Sequence, residues 1–304
     1  MPQNIRSHIL NIINSMNKNN IPTQEIVGTS VCCLSFNAQI DTIVNWAKDR
    51  QSKMVCVANV HMLIEARRNS DFANVLRHAA LVTPDGIPLV WMLKLMGAKQ
   101  AQRVAGMDIL LATCQRAAQA QISIFLLGST PDVLARIHQR LTTKFPRLKI
   151  AGTNSPSFGS IDPTADTNTI QIINTSGAGI VFVALGCPKQ ELWMAKHQDK
   201  IQAVTIGVGA VFPVYAGTLK HAPKFIRAAG FEWLFRLIQE PRRLWKRYAS
   251  TIPIFIWLAL KQIITNKAGI AVENGEADAV GVRSAPSREG DKFAAKIKKH
   301  PFDR

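Results

Sequence analysis

Asp85, in the run Thr83-Pro84-Asp85-Gly86-Ile87-Pro88, is the residue best placed to do chemistry. Leu81-Val82-Thr83 reads as the end of a short buried strand, and Pro84 and Gly86 force a turn before a helix starting near Ile87. A carboxylate is thereby set at the carboxyl end of a strand, the edge at which open α/β sheets bind ligands. Asn59, closing the strand-like run Met54 to Ala58, and Arg103, in Gln102-Arg103-Val104-Ala105-Gly106, join it. Together they offer a substrate an acid, an amide and a fixed cation. Asp before Gly is also a common turn and helix-cap residue, and residue type alone favours that plainer role.

Three strand-to-helix junctions could cradle phosphate. Leu127-Gly128-Ser129-Thr130-Pro131 sets Thr130 as a cap and Pro131 at the first helical position, so free backbone N–H groups point outward. Gly186-Cys187-Pro188-Lys189-Gln190-Glu191 does the same and adds a cation and an amide. Gly207-Val208-Gly209-Ala210 is the third. None matches the dinucleotide fingerprint, since Phe212 stands at the third glycine position, and no Walker-type GKS or GKT occurs. Three such turns at one sheet edge suit a nucleotide diphosphate.

The elements that must position these groups alternate. Strands are expected at Val31 to Phe36, Met54 to Ala58, Ala80 to Thr83, Ile122 to Leu127, Leu148 to Ala151, Ile180 to Leu185 and Ala203 to Gly207. Helical patterns lie between them, the clearest being Phe72, Val75, Leu76 and Ala79 behind a Ser70 cap. The pattern predicts an α/β, Rossmann-like, mainly parallel sheet covered by helices on both faces. Four regions follow: an N-terminal helical extension (1–26, with Ile5, Ile9, Ile12, Ile13 and Met16 in phase), the α/β core (27–216), a basic amphipathic C-terminal appendage (217–264) and a disordered polar tail (265–304).

A chain of 304 residues, 47% hydrophobic and 19% charged, can bury a sizeable core. Its net charge of +17 calls for an anionic partner: a membrane surface, nucleic acid or a phosphorylated ligand. The five cysteines are odd in number and lack CxxC spacing, which argues against a disulfide framework or a zinc site and for a reducing compartment. No secretory signal is evident, and the longest apolar run, Ile252 to Leu260, is too short to span a bilayer. A cytoplasmic protein is expected.

From Gly217 to Lys261 nine Lys and Arg face only Glu232 and Glu240. Phe231, Leu234, Phe235 and Ile238 form one helical face; after Pro241, residues Leu244, Trp245, Tyr248, Ile252, Phe255 and Ile256 form another. Cations beside Trp, Tyr and Phe suit a helix lying in an anionic membrane interface. A helix pair packing its apolar face on the core fits the same pattern. RNA binding is weaker, since no RNA-binding motif accompanies the charge.

Taken jointly, several motifs resemble the WecG/TagA/CpsF glycosyltransferases. They are Ala66-Arg67-Arg68-Asn69, Thr83-Pro84-Asp85-Gly86, Arg103-Val104-Ala105-Gly106-Met107-Asp108, Gly186-Cys187-Pro188-Lys189-Gln190-Glu191 and Glu232-Trp233-Leu234-Phe235-Arg236 through Pro241-Arg242-Arg243. The resemblance covers roughly Val27 to Tyr248. It implies an inverting, metal-independent transfer of a sugar, N-acetylmannosamine or its uronic acid in the best-known members, from a UDP-sugar to a polyprenyl-diphosphate-linked sugar at the cytoplasmic membrane face. Asp85 matches the family's proposed base and Arg103 a position beside it, while Asn59 and Gln190 match positions lining the donor pocket. The appendage matches one thought to close over the site, where Arg236, Arg242, Arg243 or Arg247 could reach the diphosphates. No DxD motif stands ready for a metal, so arginines and backbone N–H groups must neutralise the leaving diphosphate, and neither metal nor cofactor is expected.

The match has departures. Val57 stands two residues before Asn59, where many members carry Thr, and His221-Ala222-Pro223 opens the appendage where Arg-Ala-Pro is frequent. His61 and His78 are expected on helices and His138 and His197 in solvent, all structural, while Trp91 and Trp193 read as core. Glu191 and Asp108 read as first-turn helix acids. Whether the active unit is a monomer or a homo-oligomer stays open. The alternative of another class is a non-catalytic basic nucleotide- or RNA-binding protein, in which Asp85 merely caps its helix.

Overall fold

The computed structural model describes residues 21–156 and 163–280; the expected N-terminal helix, around Ile5 to Met16, lies outside them. The chain divides into two compact units, Met1–Ile263 and Ile264–Arg304. Everything below concerns the first, apart from the end of the last helix.

The first described element is a hairpin, β1 (Thr23–Ile26) paired antiparallel with β2 (Thr29–Cys32). Its two-residue turn, Val27-Gly28, holds φ of 50° and 84°, the left-handed pair that matches the twist of hairpin strands. The strand expected at Val31 to Phe36 therefore ends at Cys32, and helix α1 (Phe36–Lys48) has begun by Phe36 with Ser35 as its cap. The body also starts upstream of residue 27. Alternation of short apolar residues signalled a strand here, while the positive-φ turn that sets its register carried only one glycine.

The rest is strand and helix by turns. β3 (Lys53–Ala58) leads to α2 (Val60–Arg68) and α3 (Ser70–His78), and β4 (Leu81–Pro84) to α4 (Ile87–Leu95) and α5 (Gly106–Gln119). β5 (Ile124–Gly128) leads to α6 (Pro131–Lys144), and β6 (Ile150–Asn154) to α7 (Pro163–Thr175). β7 (Ile180–Ala184), α8 (Lys189–Lys196), β8 (Val204–Gly207) and α9 (Val211–Ala216) close the body. The appendage comprises α10 (Lys224–Ala228), α11 (Glu232–Gln239) and α12 (Pro241–Val280). Asn69, not Ser70, caps α3, accepting from the N–H groups of Asp71 and Phe72, because its side chain reaches the first turn from the residue before. α12 continues through residues 265–280, where a disordered tail was expected; four alanines and two glutamates there favour helix.

The six strands β3 to β8 form one sheet in the order β4-β3-β8-β7-β5-β6, every pair parallel. Side chains alternate between its faces. Val55, Val57, Ile124, Leu126, Ile180 and Phe182 pack with α1, α5, α6 and α9 on one side. Met54, Cys56, Phe125, Leu127, Val181 and Val183 pack with α2, α3, α4 and part of α12 on the other. Burial on both faces explains why these strands read as unbroken apolar runs. Because all six run the same way, their carboxyl ends share one edge, and Asn59, Asp85, Ser129, Gly186 and Gly207 stand along it.

Candidate active site

A cleft of about 1210 Å³ opens at that edge, walled on one side by the ends of β3, β4, β7 and β8 and on the other by α11 and α12. Asp85 lies in its floor. Its N–H donates to Ala58 O at 2.8 Å, and the N–H of Val104 donates to Pro84 O at 2.9 Å, so backbone bonds tie the turn to both the strand before it and the segment carrying Arg103. The plain capping role is not what Asp85 does: Gly86 is the N-cap of α4, and no side chain caps that helix. The carboxylate is free to face the cleft.

Arg103 is held at three points. Its Nε donates to the backbone O of Asp85 at 2.6 Å, and its Nη2 lies 3.3 Å from Asp85 Oδ1 and 2.7 Å from Glu232 Oε2. Burial, opposed by Arg103 and Arg236 and reinforced by the Glu232 charge, leaves the Asp85 carboxyl raised to about 6. Above that pH it is a carboxylate, and a stronger base than an ordinary aspartate.

The remaining expected residues divide. Asn59, Ser129, Gly186, Lys189, Gln190, Gly207 and Gly209 line the cleft, with Arg236, Arg243 and Arg247 from the appendage. Gly128 and Arg242 do not. Gly128 holds φ of 100°, and a Cβ there would stand 2.6 Å from Ala184 O, so glycine is required for β5 and β7 to approach. Arg242 is exposed on the first turn of α12, and Arg243 pairs with Glu240 at 2.9 Å. Asn59 caps α2, its Oδ1 accepting from Met62 N at 3.2 Å. Ser129 sits in the left-handed region at φ 65°, and its carbonyl accepts from Ser155 Oγ at 2.6 Å.

Gln190 is 4% exposed and its amide is engaged within the protein, accepting from Gly186 N at 3.2 Å and donating to Glu191 Oε1 at 2.7 Å. A Cβ on Gly207 would meet its Nε2 at 2.9 Å. Gly207 thus makes room for a glutamine that braces the Gly186 loop and packs against the Gly207 loop. Glu191, fully buried, has its carboxyl pushed up by burial, a stronger constraint than a first-turn acid requires.

Three side chains depart from expectation. Trp91 is 59% exposed on the cleft wall, because α4 is apolar all round and only part of it meets the core. His197 is buried, its ring against Trp193 and 3.4 Å from Asp166, rather than solvated. His61 lines the cleft, and burial with Arg247 nearby lowers it to about 4, so it is neutral. Glu232 was not singled out as a site residue; its signal was that it is one of two acids among nine cations.

Among the described residues no group of three or more His, Cys, Asp or Glu side chains could hold a metal. All five cysteines are free.

The appendage docks by a stripe of α12, joined by the Glu232–Arg103 pair of α11 and by Arg68 Nη2, which donates to Ser250 O at 2.6 Å. Leu244, Thr251, Phe255 and Ala259 are buried, and Gln262 accepts from Val27 N at 2.9 Å and donates to Glu25 O at 2.7 Å. Trp245, Ile256, Trp257 and Leu260 are exposed, with Lys246 over the Trp245 ring and Lys261 over that of Trp257. The packing face and the exposed aromatic face are both present, on different residues of one helix. Pro241–Asn266, 26 residues containing an 18-residue window of mean hydropathy 1.3, is long and apolar enough to cross a membrane, which the short run Ile252 to Leu260 did not suggest.

A parallel α/β sheet with a cationic cleft at its carboxyl edge is a Rossmann-like architecture. The model of the glycosyl transferase WecG/TagA/CpsF family matches residues 24–269, and the chain belongs to that family; it is a glycosyltransferase. It is 32% identical over 228 residues to the N-acetylglucosaminyldiphosphoundecaprenol N-acetyl-beta-D-mannosaminyltransferase of Bacillus spizizenii, covering 75% of this chain and 85% of that one. Against the protein of the same name from Bacillus subtilis it is 32% identical over 210 residues, 69% of this chain and 79% of the other.

Proposed function

We propose that this enzyme transfers an N-acetylmannosamine-type sugar, with inversion and without a metal, from a UDP-sugar to a polyprenyl-diphosphate-linked sugar, and that it works as a peripheral protein on the inner face of the cell membrane. The observation that carries the reading is the Asp85–Arg103 pair in the floor of a cleft lined by further arginines. The names of the two Bacillus relatives support the acceptor and the sugar. Asp85 takes the proton of the acceptor hydroxyl as its oxygen attacks the anomeric carbon, and the bond to the leaving UDP breaks with its electron pair going to the diphosphate. Backbone N–H groups of the Ser129, Gly186 and Gly209 loops, with Lys189, bind that diphosphate. Arg236, Arg243 and Arg247 meet the acceptor diphosphate, and Trp91, Leu95, Ile256 and Leu260 extend the cleft as an apolar wall for its lipid. The exposed Trp and Lys residues of α12 rest on an anionic bilayer.

The test is UDP release from a panel of UDP-sugars with a short polyprenyl-diphosphate N-acetylglucosamine acceptor, in EDTA, for wild type and Asp85→Asn. Acceptor-dependent release that survives EDTA and collapses in the variant is expected, and the panel names the donor, UDP-glucose or a UDP-uronic acid included. Equal release by Asp85→Asn, or none with any donor, overturns the reading in favour of an anion-binding protein without transfer.

A further inference from the structure

We propose that Glu232, the acid opening α11, is a positioning residue for Asp85: through Arg103 it makes the state of the base depend on the appendage being in place. This rests on the reading of Asp85 as base. α11 buries no residue of its own, so the meeting of Glu232 with Arg103 is not a by-product of tight packing. An acid in a first helical turn is already favoured by the helix dipole. This one is turned away to Arg103 instead, at 2.7 Å against 3.3 Å for the Asp85 contact.

Two consequences follow from sharing one guanidinium between two carboxylates. Asp85 receives only part of the neutralisation Arg103 could supply, which keeps it basic. The guanidinium is also held by Glu232 and by the Asp85 carbonyl, so it does not close as a bidentate pair over both oxygens of the Asp85 carboxylate, one of which must accept a proton. The groups facing Asp85 are Arg103 from the segment before α5 and Glu232 and Arg236 from α11. Asp108 on α5 and His221 before α10 act on the same cluster. Arg236 opposes Glu232 and comes from the same helix, so removing α11 would erase both effects; a point substitution separates them.

The experiment measures the Asp85 carboxyl titration by ¹³C NMR of aspartate-labelled protein, assigned with Asp85→Asn, together with the pH profile of kcat/KM for UDP release. Wild type, Glu232→Gln and Glu232→Asp are compared. Glu232→Gln is expected to move both the titration and the acid limb down by about one pH unit and to lower the plateau rate about tenfold, with donor KM held within about twofold. Glu232→Asp, keeping the charge, is expected to restore the acid limb. An unmoved titration in Glu232→Gln overturns the inference, and any loss of rate is then a bracing effect on α11. An active Asp85→Asn removes the base reading and this inference with it; an inactive Asp85→Asn beside an unmoved Glu232→Gln titration removes the inference alone.

Discussion

The α/β body and the appendage are held in contrasting ways. Every residue of β4, β5, β7 and β8 is buried, and Gly128, Gly152, Gly179 and Gly207 stand where a methyl group would strike backbone or a buried side chain. The appendage touches the body through Leu244, Thr251, Phe255 and Ala259, the Gln262 bonds, the Arg68 bond to Ser250 O and the Arg103–Glu232 pair, while no residue of α11 is fully buried. The body therefore has a core sufficient for its own stability, and the appendage contributes charge and one cleft wall at little cost to the core. Folding of the body and completion of the cleft are therefore expected to be separable.

The comparison breaks most severely on deletion of residues 217–304. Thermal melting is expected to stay cooperative and UDP binding to persist, while transfer falls at least about a hundredfold, as loss of positioning groups does. Full transfer to a short-chain acceptor by the deleted protein would mean that the body alone is the enzyme.

Gly128→Ala is the converse. With φ at 100° and Ala184 O 2.6 Å from the new Cβ, it should cost roughly 2–3 kcal/mol and lower the melting temperature without touching the cleft lining. Phe255→Ala, equally buried but on α12, should leave the main transition in place and instead speed proteolysis of the appendage. Equal losses of global stability from the two would end the distinction.

A smaller effect reads on pH. The Asp85 carboxyl is raised from 3.8 to about 6 in the folded protein, so the folded state holds the proton longer than the unfolded one. Stability from this group is full below pH 4, falls as pH rises to about 6 and is flat above, a change of roughly 2 kcal/mol after allowance for its partial exposure. Denaturant unfolding of Asp85→Asn should lack that slope. Smallest of all, Lys246→Gln and Lys261→Gln should each weaken binding to anionic vesicles about fivefold, and not to neutral ones.

Much of this was legible in residue order. The runs Met54 to Ala58 and Ile180 to Leu185 announced doubly covered strands, and Thr130-Pro131 announced its helix start, with Thr130 Oγ1 accepting from Val133 N. The hairpin before α1 was missed because its turn places Val27, not a second glycine, at positive φ. Gly128 was anticipated and does not line the cleft, whereas Asp85, Arg103, Gly186, Gly207 and Gly209 line it and were anticipated by type and motif. The internal engagement of Gln190 and the exposure of Trp91 were not, because burial depends on which neighbours arrive from elsewhere in the chain.

Unbroken apolar runs and the excess of cations past Gly217 are local properties, and they settled the α/β class, the approximate places of the six sheet strands and the basic character of the C-terminal segment. Which charges meet was decided only by the fold. Arg103 and Glu232 lie 129 residues apart in the chain and 2.7 Å apart in space. Electrostatic energy follows the second distance, and sheet order and helix docking, not spacing along the chain, determine it.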